Sequence, residues 1–144
     1  MSEQDTIKLL RECDAGVKMG ASSIHEVLDY VHSEELKQLL SACRTEHDQL
    51  DSEIQGLLDR YRDEGKEPNP IAKKMGEMGT KVKLSMHDSD QTIADLMTDG
   101  CNMGVKSLSR YLNQYEAADE VSKDIAKRLI ALEAKLAVDI RRFL

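Results

Sequence analysis

Tryptophan is absent and phenylalanine occurs once, at Phe143, so aromatic residues make up 3% of the 144 residues. A core must therefore come from Leu, Ile, Val, Met and Ala, which suits helices packed on helices. Proline is confined to Pro68 and Pro70, leaving long uninterrupted stretches on either side. The three cysteines, Cys13, Cys43 and Cys101, include no C-x-x-C pair. That excludes a disulfide framework and points to reduced thiols in the cytoplasm. Positive charge is in short supply, with 20 basic against 27 acidic residues and a net charge of −7. This argues against nonspecific nucleic-acid binding, which runs on phosphate neutralisation by Lys and Arg. It argues equally against an anionic membrane surface. No apolar run approaches the roughly 18–20 residues of a membrane span. Met1–Asp5 is acidic and lacks an apolar segment, so no secretory signal is expected.

What the chain does have is helical period. Apolar residues recur at three- and four-residue spacings over five stretches, about 5–32, 34–63, 70–86, 89–117 and 119–144. The length fits one domain, and such a chain buries roughly 70% of its unfolded surface. Ser33 is the expected N-cap of the second helix, with Glu34 and Glu35 in its first turn. Residues 63–70 form the one linker. Gly65 is placed to end the second helix, Asn69 to cap the third and Pro70 to begin it. Asp88 with Gln91 has capping-box spacing before the fourth helix, and Asp119 opens the fifth. The third helix carries the stripe Ile71, Met75, Met78 and Val82, broken by Gly76 and Gly79. It reads as a weak connector whose methionines fill gaps rather than bind a cofactor. Its lysines, Lys73, Lys74, Lys81 and Lys83, are too sparse for a nucleic-acid patch and read as a solvated face.

An internal echo organises these helices. Cys13-Asp14-Ala15-Gly16-Val17-Lys18 returns 88 residues later as Cys101-Asn102-Met103-Gly104-Val105-Lys106. A shift of 86 pairs Leu10 with Leu96, Cys43 with Leu129, His47 with Glu133 and Ile54 with Ile140. Short links between long helices make antiparallel neighbours. The expected fold is therefore all-α: two equivalent antiparallel hairpins forming a four-helix bundle, with the third helix in the crossover. Gly16, Gly20 and Gly104, inside helices, mark close helix approach or, less economically, room for a small ligand beside Gly20 and Gly104.

Four features then resemble a known family. They are Gly16-Val17-Lys18 within the first helix, Glu35–Leu40 followed by His47 and Leu50, the short helix before Ser89–Ile93, and Gly104 with Tyr111 before the last helix. Together, over about 5–144, they resemble the ferritin-like bacterial proteins labelled as a domain of unknown function, whose broader relatives include some stress-induced proteins. The resemblance implies a ferritin-like bundle. It implies no established activity.

Di-iron members of that superfamily use a Glu from each of two helices and a Glu-x-x-His from each of the other two. That motif is absent here: Gln49 follows Glu46 at the third position, and Leu136 follows Glu133. The alternative function is a metal-binding protein, a di-metal oxidase or a metal-storage protein with a degenerate site; its iron or manganese ligands would come from Asp14, Glu46, His47 and Glu133. The simpler reading makes His47 and Glu133 a buried polar pair or places them at the bundle edge, with no cofactor. Cys13 and Cys101 occupy equivalent positions, and a disulfide would need their Cα atoms about 4.4–6.8 Å apart; buried thiols are the simpler reading. Phosphate-cradling and nucleophile-elbow motifs are absent from the chain. The expected function is non-catalytic, exerted through contacts with a second copy or another protein.

Overall fold

A computed structural model describes residues 2–144, apart from the side chains of Ile71, Ala72, Val82 and Met86. Among the described residues there are five α-helices, one short 3₁₀ turn and no strand. The helices are α1 (Ser2–Leu28), α2 (Glu34–Arg60), α3 (Pro70–Met86), α4 (Asp90–Gln114) and α5 (Glu120–Asp139), and the turn is Arg141–Phe143.

Long-range contacts fix the directions of the helices. Arg11 meets Asp63, Asp14 meets Gln55 and Arg44 meets His25, so α1 and α2 run antiparallel. Glu35 meets Arg142, His47 meets Glu133 and Glu53 meets Arg128, so α2 and α5 also run antiparallel. Asp5 binds the backbone at Ala117, Gly16 lies against Leu108 and His32 binds Asp90, which sets α4 antiparallel to α1. Helices α1 and α5 run parallel and come close where Gly16 faces Leu129 and Gly20 faces Glu133. Around the four long helices the order is therefore α1, α2, α5, α4. Helix α3, in the connection from α2 to α4, packs against α1 and α4.

The core has two apolar clusters. One contains Leu9, Leu10, Val17, Leu50, Ile54, Leu58, Leu108, Ile125 and Leu129. The other contains Ile24, Leu36, Leu40, Leu84, Ile93, Met97, Leu136 and Ile140. Each fully buried Leu or Ile contributes roughly 1.5–3 kcal/mol of transfer free energy, offset by the conformational entropy of ordering the chain. The stripes of the four long helices face these clusters, with Leu58 rather than Leu57 fully buried; Met103, which the apolar period places on the inner side of α4, is instead 70% exposed because its turn of the helix points away from both clusters.

Helix ends depart from the sequence reading in instructive ways. Ser33 and Asp119 cap α2 and α5 as expected, accepting from the backbone of Leu36 and Ser122. The cap of α4 is Ser89, which accepts from Thr92, and not Asp88. The Asp88 carboxylate instead meets the His32 ring at 3.1 Å. Helix α1 ends at Leu28 rather than near 32, because Asp90 captures the His32 and Ser33 amides. Helix α2 stops at Arg60, short of 63, with Arg62 left-handed at φ 52°. Gly65 does not close it; at φ 80° it serves the linker instead. The last helix gives way to the 3₁₀ turn before Leu144.

Helix α3 brings the largest correction. Met75 and Met78 do not fill gaps: they are 68% and 65% exposed. The side facing the bundle is that of Leu84, with Lys73, Glu77 and Thr80 half-buried beside it. Ile71 and Val82, the other members of the expected stripe, lie outside the described side chains.

Candidate functional site

Two buried polar positions stand out among the described residues. The first joins the two core clusters. His47, on α2, is 1% exposed, and Glu133, on α5, is 8% exposed. His47 Nε2 lies 3.1 Å from Glu133 Oε1, and His47 Nδ1 lies 2.8 Å from the Cys43 carbonyl and 3.6 Å from its Sγ. The Cys43–His47 spacing of four residues puts both on one helix face. Two acceptors at the two ring nitrogens match an imidazolium, which donates from both. Burial works against that charge, but the bonds to Cys43 and Glu133 outweigh it and hold the His47 pKa up at about 10. Cys101, on α4, completes the seam; burial first, then the Glu133 carboxylate, pushes its thiol well above the ordinary range.

Gly20 is what lets α1 pass this pair. A Cβ there would lie 2.5 Å from His47 Nε2 and 3.1 Å from Glu133 Oε1. Gly104 gives α4 similar access, its notional Cβ 3.5 Å from the Glu133 carboxyl carbon. The space beside the two glycines is thus filled by His47 and Glu133, which bears out close approach at these glycines over the alternative of room for a small ligand. His47 and Glu133 are also the positions related by the 86-residue shift, so equivalent points of the two hairpins meet.

The second position is Asp14, fully buried on α1. Its carboxylate accepts from Gln55 Nε2 at 2.7 Å, from the Lys66 backbone amide at 2.9 Å and from Lys18 Nζ at 3.2 Å. Gly65 packs so closely on Asp14 Oδ2 that a Cβ would collide with it. Arg11–Asp63, Lys66–Glu12 and Lys18–Glu67 pairs continue the attachment of the linker to α1. Bonds from the Glu67 and Asp14 carboxylates overcome partial burial and raise the Lys18 pKa. Asp14 is therefore a clamp on the linker, and its partners Gln55 and Lys66 had no sequence signal because they lie 41 and 52 residues away.

The four candidate metal ligands are thus dispersed. His47 and Glu133 meet, Asp14 serves the linker, and Glu46 is exposed on the outer side of α2. Among the described residues, no three His, Cys, Asp or Glu side chains converge as a metal-holding group. Both nitrogens of His47 already face protein acceptors. The residues present do not fit a di-iron or di-manganese centre. Cys13, Cys43 and Cys101 are free and buried, with Cys13 and Cys101 in different clusters. Burial, with Glu12 and Asp14 nearby, pushes the Cys13 thiol up to about 12, far from a reactive thiolate.

Two surface depressions among the described residues are open and shallow, one beside Lys83, His87 and Asp95, the other along Glu120–Lys127. No helix among the described residues is long and apolar enough to cross a membrane. No family model, curated protein or solved structure matches the chain.

Proposed function

We propose that the chain is a ferritin-like four-helix bundle that acts through protein contacts, with α3 as its contact element. The arrangement in favour of that fold is the long connection from α2 to α4, which allows α1 with α2 and α4 with α5 to form separate antiparallel hairpins. The observation that carries the functional reading is the outward position of Met75 and Met78 on α3. An amphipathic helix gains stability by burying its stripe, and here that gain is left for another molecule. Methionine suits such a surface because its flexible, polarisable side chain adapts to a partner. The interior supports the same reading: His47, Glu133 and Asp14 are engaged with one another or with the linker. Three free thiols fit a reducing compartment.

The test is a photo-crosslinking residue placed at position 78 in the source cells, with the same residue at exposed position 138 on α5 as control. The expected result is a discrete protein adduct from position 78 and none from 138. Equal labelling from both positions, or no adduct from 78, would contradict the reading.

A further inference from the structure

Helix α3 is a basic island: Lys73, Lys74, Lys81 and Lys83 against Glu77 give it a net +3 in a chain of −7. Its exposed methionines are flanked by the exposed Lys74 and Lys81. Helix α4, against which α3 packs, presents the opposite character over its first half. Asp95, Asp99 and Met103 follow at four-residue spacing along one outer face. All three are exposed, with Met103 at 70%, and a Cβ at Gly100 beside them would meet nothing within 4 Å. Helix α3 thus carries a basic methionine strip, and the helix it packs against carries an acidic one.

Resting on the reading that α3 is a contact element, we infer that its partner is a second copy of this chain. A twofold axis running between the two strips sets each α3 against the α4 of the other copy. Every contact then forms twice, as an isologous interface requires. Met75 and Met78 meet Met103 and the bare surface at Gly100, while Lys74 and Lys81 face Asp95 and Asp99. Complementary charge sets the register and disfavours α3 on α3, which would oppose lysines to lysines. A lipid surface fits less well. The chain outside α3 sums to −10, and α3 has no aromatic residue to anchor in an interface.

Sedimentation of the purified chain over a wide concentration range tests this. The expected result is a reversible dimer. Met75→Glu with Met78→Glu should weaken it about tenfold or more, at unchanged helicity. Asp95→Lys with Asp99→Lys should weaken it similarly, and adding Lys74→Glu with Lys81→Glu should restore it. Independently of those variants, mixing Met78→Cys chains with Met103→Cys chains under mild oxidation should give the mixed disulfide in excess over either homodimer. A monomer at all concentrations would overturn the inference, as would a dimer indifferent to both sets of substitutions, a random mixture of disulfides, or binding of α3 to anionic vesicles in place of dimerisation. A monomer that still gives a foreign protein adduct from position 78 in cells overturns the second copy alone. A monomer with no adduct overturns the contact reading as well.

Discussion

Helix α3 and the four long helices have the same kind of sequence and opposite roles. All five show an apolar stripe at helical spacing. In α1, α2, α4 and α5 the stripe, apart from Met103 of α4, faces two apolar clusters joined by the His47–Glu133 seam. In α3 the described stripe residues face outward, and Leu84 provides the attachment. Periodicity identifies a face; the surrounding molecule decides whether that face is buried. A methionine stripe interrupted by glycines packs less surface than one of Leu and Ile, so α3 gives up little by turning it away from the core.

The comparison can be broken most severely at the seam. Glu133→Ala strands the buried imidazolium of His47, and the expected loss is about 3–5 kcal/mol in urea unfolding. Replacing both partners, His47→Leu with Glu133→Leu, should cost less than that single change, because no charge is left unpaired. A smaller effect comes from Gly20→Ala, whose Cβ meets the His47 ring; the expected cost is about 1–3 kcal/mol despite the better helix propensity of alanine.

The seam should also make stability depend on pH. The His47 pKa is raised on folding from about 6.5 to about 10, so the folded chain binds more protons than the unfolded one between those values. Its contribution is complete below about 6.5 and is lost as pH rises toward 10. Unfolding free energy should fall between pH 7 and 9, by at most about 1.4 kcal/mol per pH unit for one proton. The double leucine variant should be flatter over that range, and an equal slope in both proteins would reject the imidazolium.

The smallest effects sharpen the other side of the comparison. Gly76→Ala and Gly79→Ala add methyl groups that meet nothing within 4 Å, so each should strengthen α3 by about 0.5–1 kcal/mol. Hydrogen exchange of the α3 amides would register the gain. Met75→Glu should change the melting of the monomer by no more than about 0.5 kcal/mol, whereas Met97→Glu, at a position 6% exposed, should destabilise it strongly.

The five helices were legible because long amphipathic periods, the caps Ser33 and Asp119, and Pro70 agree with one another. The meeting of His47 with Glu133 was legible through the 86-residue shift. The four-residue spacing of Cys43 and His47 could have identified the third member of the seam. Asp14 was recognisable as a stripe residue but not as a clamp, because its donors come from distant positions. Ser89 displaced Asp88 as a cap for a similar reason: the competing partner, His32, sits 56 residues away. The outward stripe of α3 had no local signature, since its spacing is the same whichever way it points.

Hydrogen peroxide oxidation of the methionines, followed residue by residue as protein concentration is raised, tests the outward stripe and its partner together. At high dilution Met75, Met78 and Met103 should oxidise much faster than Met97, and all three should become protected in parallel as dimers form. Rates for Met75 and Met78 as slow as that of Met97 at high dilution would place the stripe inside. Fast rates that do not change with concentration would show that no second copy covers it.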